Sequence, residues 1–243
     1  MNGEAQRPRD YFATTRWTVV LSAARNYTER AGDSLAQLCQ SYWYPLYAYV
    51  RRRGHSATDA EDLTQEFFAR LLNQKKLAGI SRDGGKFRSF LLTALNHFLV
   101  NEWKRAQTGK RGGGRVIAFD DEAAENRYLG EVANTPTPES AFDRAWALAL
   151  LETVFNRLQQ EYVADGKGGV FAELEFTLTG TRSSVPYAEV SARLKMSESA
   201  VKVAVHRLRQ RYREVLRAEV AQTVAGPDEV EEELRDLLAA LSE

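Results

Sequence analysis

The chain has a single cysteine, Cys39, among 243 residues. One thiol cannot close an internal disulfide, which excludes a disulfide-stapled fold and fits a reducing cytosol. Cys39 stands in an apolar, aromatic stretch and reads as a small core residue. Histidine is nearly as scarce. His55, His97 and His206 lie far apart, without the spacing that holds a catalytic metal. No serine–histidine–aspartate arrangement can be proposed either. We therefore expect a non-enzymatic protein with no cofactor and no metal. Long apolar runs are missing: no stretch approaches the roughly 20 residues needed to cross a bilayer. The first ten residues, MNGEAQRPRD, lack the apolar centre of a signal peptide. The expectation is a cytoplasmic protein without membrane contact. Proline is rare and clustered, and strand-like alternation is absent, so the expected class is all-α.

Net charge is also missing, because 33 basic residues balance 33 acidic ones. The distribution matters more than the sum. Arg51–Arg115 holds 14 Lys and Arg against 6 Asp and Glu, and Pro186–Arg217 holds 8 against 3. Phe119–Asp143 and Gly226–Glu243 each hold 7 acids and one base. Two basic blocks thus alternate with two acidic ones, a pattern of polyanion-binding surfaces with acidic segments that could shield them. We read two small helical domains, residues 1–111 and 140–225, joined by a flexible acidic linker over 112–139. The linker runs from Gly112-Gly113-Gly114 to Pro138. An acidic tail, 226–243, follows, with Val230, Leu234, Leu237, Leu238 and Leu241 on a stripe. The −6 tail stands beside the +5 block, so it is expected to lie over a basic surface and damp its polyanion binding.

Several helices are legible. Ser34–Arg53 is rich in aromatics, with Pro45 expected to kink or break it. Thr58-Asp-Ala-Glu61 has the capping-box pattern and starts a helix that carries Leu63, Phe67, Phe68, Leu71 and Leu72 on one face. Phe87, Phe90, Leu91, Ala94, Leu95, Phe98 and Leu99 follow a 3.6-residue stripe, and Phe142–Tyr162 reads as a long helix. Near the C-terminus, Tyr187–Leu194 makes a short helix behind Pro186, and Lys195-Met196-Ser197 a tight turn with Ser197 as N-cap. A longer helix follows from Glu198 to about Val220. Val201, Val205, Leu208, Tyr212, Val215 and Leu216 form its buried stripe, while Lys202, His206, Arg209 and Arg213 face away. This is a helix-turn-helix pattern. Its second helix would place Ser199, Lys202, Val203 and His206 against base edges. Arg207 and Arg209, with Arg211 and Arg213, would meet phosphates.

The first basic block carries two further surfaces. Asp62, Gln65 and Glu66 are expected on one exposed face, suited to an arginine-rich partner helix. The loop Ser81–Arg88, with Lys86 and Arg88, feeds a helix bearing Phe90, Asn96, His97, Val100, Asn101, Lys104 and Arg105. Amides, aromatics and bases together suit single-stranded DNA. Trp103 reads as a core residue.

These pieces resemble, in this order, a bacterial sigma factor of the extracytoplasmic-function group. Phe12–Trp17 (FATTRW) looks like the leader of a branch common in Planctomycetes and related bacteria. Tyr42–Tyr49 (YWYPLYAY), Asp59–Phe68 (DAEDLTQEFF) and Lys86–Leu92 (KFRSFLL) resemble the second conserved sigma region. Tyr187–Val190 (YAEV) and Ala200–Arg209 (AVKVAVHRLR) resemble the fourth. The resemblance implies a polymerase subunit. Asp62, Gln65 and Glu66 would dock on the clamp helices of the polymerase β′ subunit. Lys86, Arg88, Phe90, Asn96, Asn101, Lys104 and Arg105 would capture the melted −10 element. Ser199, Lys202, Val203, His206, Arg207 and Arg209 would serve the −35 element, beside a contact with the β flap. Val203 and Ala204 stand where most relatives carry a polar residue and an arginine. Regulation would come from an anti-sigma factor or from a kinase acting on an exposed residue such as Thr64. The rival reading is a one-component helix-turn-helix regulator that never joins the polymerase.

Overall fold

The computed structural model describes residues 29–71, 86–107, 121–178 and 185–242. Side chains are described from Ser41 onward in the first segment, up to Arg105 in the second and from Ala123 in the third. Phe12–Trp17, Leu72, Ser81–Gly85, Gly112–Gly114 and the side chain of Cys39 lie outside the described residues. The described chain is predominantly helical, with no strand among those residues, so the class is all-α. Its α-helices are α1 (Glu29–Arg52), α2 (Ala57–Leu71), α3 (Phe87–Gln107), α4 (Asp121–Glu131), α5 (Pro138–Ala164), α6 (Gly168–Leu174), α7 (Tyr187–Leu194), α8 (Glu198–Ala221) and α9 (Val230–Ser242). No helix among them is long and apolar enough to cross a membrane.

Two units divide these helices, one up to Ala149 and again from Val220 onward, the other Leu150–Glu219. In the first, the aromatic helix α1 supplies the core: Tyr42, Tyr47 and Tyr49 are fully buried beside Phe68, Phe87, Leu91, Phe142 and Trp146. Tyr42 meets Phe87 edge-on at 5.3 Å, and Phe67 meets Phe98 at 5.8 Å. Pro45 does not end α1, which runs through it. A mid-helix proline costs about 3 kcal/mol, but every side chain from Tyr42 to Val50 is buried, and that packing outweighs it. The start of α2 also differs from the expected Thr58 box. Ser56 Oγ accepts from the Asp59 amide at 3.1 Å and donates to Asp59 Oδ2 at 2.7 Å, so the cap is Ser56, two residues earlier.

The expectation of a flexible linker over 112–139 is corrected from residue 121 onward. Residues 121–131 form α4, and Ala124, Tyr128 and Val132 are buried. Two acids of this stretch, Glu125 and Glu131, bond to α1. Arg51 donates through Nε to Glu125 Oε2 at 2.8 Å, and the Tyr47 hydroxyl donates to the same oxygen at 2.5 Å. Tyr44 donates to Glu131 at 3.2 Å. The Arg51 hydrogen bond, outweighing burial, holds the Glu125 carboxyl below its ordinary value. This acidic segment is held on α1 by the Arg51–Glu125 ion pair, two tyrosine hydrogen bonds and three buried apolar side chains. The next helix follows almost at once: Thr137 and Ser140 cap α5 reciprocally, with Pro138 in its first turn.

The tail also folds, as α9, but its buried stripe is Val230, Glu233, Leu237 and Ala240. Leu238, expected on the stripe, is 62% exposed. Glu233 turns inward instead because a guanidinium awaits it there.

The second unit has its own core of Leu158, Phe171, Leu174, Val190, Val201, Val205 and Leu208. Phe155 and Tyr162 face Phe171 at 5.2 and 5.6 Å. Gly166, at φ +71°, lets the chain leave α5, and the Lys167 amide donates back to Tyr162 O at 2.8 Å.

Candidate nucleic-acid interface

In the second unit, α7 and α8 flank the turn Lys195–Ser197. Ser197 Oγ accepts the Ala200 amide at 3.2 Å, which caps α8. The turn closes α7 through the Met196 amide on Ser191 O at 3.1 Å, with Lys195 left-handed at φ +52°. A lysine in that region carries a cost of about 1–2 kcal/mol, whereas glycine carries only its own entropic cost of about 0.5–1 kcal/mol. Lys195→Gly is therefore expected to stabilise this unit by roughly 0.5–1 kcal/mol. A fall in the denaturant midpoint would reject that account.

Val201, Val205, Leu208 and Val215 of α8 turn into the protein. Ser199, Lys202, Val203, His206, Arg207 and Arg209 are all exposed, and their spacing gathers them on one side of the helix. Val203, at 50% exposure, puts an apolar surface amid the polar ones. Arg209 is exposed yet bound, donating through Nε and Nη2 to Thr177 O at 3.2 and 3.1 Å. Arg211 is committed differently: it forms a two-pronged pair with Glu161 at 2.8 and 3.0 Å and also reaches Glu214. The Glu161 hydrogen bond raises the Arg211 pKa further. Arg213 stays exposed.

In the first unit the expected surfaces fare unevenly. On α2, Asp62 is exposed, and Glu66 is partly exposed and paired with Arg70. Gln65 does not share that face. It is 6% exposed and donates to Glu61 at 2.5 Å. Position 65 falls next to Phe68 on the helical wheel, so packing carries it inward. Thr64 is fully buried and donates to Ala60 O at 2.7 Å, which removes it as an exposed kinase target.

On α3, Asn101, Lys104 and Arg105 are exposed, as are His97 and Val100. Asn96 is partly buried, its Oδ1 accepting from Tyr49 at 2.8 Å and Arg53 at 2.7 Å. Phe90 is half-buried, its ring 6.0 Å from that of Phe87. Trp103, expected in the core, is 63% exposed. At this level Glu102 turns inward to Arg70 at 2.6 Å, which leaves the next residue outside.

Lys86 and Arg88 depart most from expectation, for neither is free. Arg88 is 8% exposed and lies 4.7 Å over the Trp146 ring. Its Nε donates to Glu233 Oε1 at 2.9 Å and its Nη2 to Asp236 Oδ2 at 2.7 Å, while Nη1 pairs with Asp143. Lys86 pairs with Glu232 at 3.1 Å, Glu233 at 3.3 Å and Asp236. The acidic tail thus covers basic residues of its own unit, whereas the expectation, drawn from the +5 block, looked to the neighbouring stretch of sequence. Burial works against the charge on Lys86, but the hydrogen bonds it donates to Asp236 and Glu232 raise its pKa on balance. Burial likewise opposes ionisation of Asp236, and the Lys86 hydrogen bond and charge prevail, so its pKa falls. Asp143 goes the other way: burial lifts its pKa despite Arg88. The acid spacing of α9 was visible in the sequence; its partners were not. Among the described residues, no group of three or more histidine, cysteine, aspartate or glutamate side chains is placed to hold a metal.

Residues 38–108 match the family model of sigma-70 region 2. The chain is 25% identical over 160 residues to the RNA polymerase sigma factor YlaC of Bacillus subtilis (strain 168), across 62% of this chain and 88% of that protein. No solved structure matches it. A region 2 match on the aromatic helices α1–α3, with a sigma-factor likeness that reaches well beyond them, supports an RNA polymerase sigma factor.

Proposed function

We propose that this chain is a sigma factor of the extracytoplasmic-function group that binds core RNA polymerase and directs it to particular promoters. The observation that carries the reading is the exposed polar face of α8, held by its own core, in a chain that also matches region 2. Asp62 and Glu66 on α2 meet the clamp helices of the β′ subunit, without Gln65. The α3 face with Asn101, Lys104 and Arg105, joined by Trp103, takes the melted −10 strand, where aromatic rings stack on unpaired bases. Phe90 and the Asn96 amide border that face. The α7–α8 unit is a helix-turn-helix for the −35 element. Ser199, Lys202, Val203 and His206 face the major groove, and Arg207 and Arg209 face phosphates. The working place is the cytoplasm, where polymerase and promoter DNA are found.

Purified chain added to core polymerase in a promoter transcription assay tests the reading. Promoter-dependent transcripts are expected. Retained DNA binding without polymerase binding would instead favour a one-component regulator. Within the reading, Lys202→Ala is expected to weaken binding to the cognate −35 sequence by about 1–3 kcal/mol. An equal loss on every sequence would make Lys202 a phosphate contact.

A further inference from the structure

Two cations, Lys86 and Arg88, frame the start of α3, and four carboxylates surround them: Asp143, Glu232, Glu233 and Asp236. A buried pair kept for stability is best left neutral, since each surplus charge adds desolvation and repulsion. Here the surplus is negative, and three of the four acids come from one helix, α9. The chain leading to α9 also takes the first amide of α3: Phe87 N donates to Thr223 O at 3.1 Å. The amides of Phe87, Ser89 and Phe90 at this helix start are already bonded, to Thr223 O and to Lys86 O, so its attraction for phosphate oxygens comes from the two basic side chains. α9 therefore presents to this site what a nucleic-acid backbone would present.

Part of the contact is open to solvent. The Glu232 and Asp236 side chains are 58% and 40% exposed, against 17% for Lys86, and ion pairs to such exposed carboxylates contribute less than the buried Arg88–Glu233 pair. If α9 leaves, Arg88 keeps Asp143 and the Trp146 face and is not stranded. Lys86 keeps none of the partners named above and becomes available to a phosphate.

We propose that α9 is an autoinhibitory occupant, whose Glu232, Glu233 and Asp236 stand in for DNA phosphates at Lys86 and Arg88 and must be displaced before this surface binds DNA. The proposal rests on the sigma-factor reading for its partner, the promoter strand near α3. It differs from simple charge balance in demanding that a particular lysine be masked.

The test is a charge cycle on the full chain, using a fluorescein-labelled single-stranded oligonucleotide of mixed sequence and reading anisotropy at several salt concentrations. Glu232→Gln with Asp236→Asn keeps shape, removes two of the three carboxylates paired with Lys86 and leaves Glu233 in place on Arg88. This double variant is expected to bind about tenfold tighter at low salt, with a log–log salt slope steeper by about one. Lys86→Ala should change little in the parent chain and should erase the gain in the double variant. No gain, or an equal loss from Lys86→Ala in both backgrounds, overturns the proposal. Hydrogen exchange gives a second reading without substitution: saturating oligonucleotide should deprotect the amides of residues 230–242, and unchanged protection overturns it. Transcription with core polymerase is scored separately. Its failure with the charge cycle intact removes the sigma reading and leaves the masking in place, and the reverse outcome removes the masking alone.

Discussion

Arg88→Ala is expected to lower the unfolding free energy of the first unit by about 3–5 kcal/mol, the usual loss when one partner of a buried ion cluster is removed. The guanidinium is the hub on which Glu233, Asp236 and Asp143 converge. Without it Glu233, whose side chain has no exposure, stays buried with Lys86 at 3.3 Å as its nearest remaining cation. Asp236 and Asp143 add repulsion from the same pocket. The Trp146 ring also loses the cation stacked on it. Arg88→Lys should rescue little, because an ammonium cannot reproduce the planar fork that reaches three carboxylates at once. Arg88→Met combined with Glu233→Leu should cost much less than Arg88→Ala, since the carboxylate with no exposure leaves together with its cation. Denaturant unfolding followed by circular dichroism provides the measurement, and an unchanged midpoint for Arg88→Ala would rule out this role.

Leu208→Ala is expected to remove about 2–5 kcal/mol from the second unit. Leu208 is fully buried among Leu158, Phe171, Leu174, Val190, Val201 and Val205, side chains from four different helices. A unit of this size has a stability of only about 0.05–0.15 kcal/mol per residue, so one such cavity takes a large share of it. Arg207 and Arg209 flank Leu208 in the chain and are held outward by its burial. The duplex binding proposed for α8 should therefore be almost lost at temperatures where the parent keeps it. Val203→Ala is the matched control: exposed, it should shift stability by less than about 0.5 kcal/mol. A Leu208→Ala midpoint as close to the parent as that of Val203→Ala would contradict the assignment.

Much of α8 was legible because its signal is local. A stripe at Val201, Val205 and Leu208 can form only one buried face, and Lys202, His206 and Arg209 must then lie on the other. Ser197 could be read as a cap for the same reason: its oxygen needs only the amide three residues on. Pro45 and the Thr58 box misled because local cost and local pattern were decided elsewhere, by the burial around Tyr42–Val50 and by the oxygen of Ser56. Gln65 and Thr64 look like surface residues by composition, yet both are buried. A polar residue next to an apolar stripe is carried inward when it can bond within its own helix, as these do to Glu61 and Ala60.

By itself the sequence determined the helical class, the positions of most helices and which side of α8 meets solvent, since periodicity and capping act within a few residues. It also determined that basic and acidic blocks would seek each other. Only the tertiary structure decided the pairing. Arg88 and Glu233 are 145 residues apart, and charge counts along a chain carry no information about such a distance. The acidic tail therefore lies on Lys86 and Arg88, and the acidic stretch 121–131 folds onto α1. The physical reason is that charge has no periodicity of its own: it takes its partner from whichever surface the apolar core brings within a few ångströms.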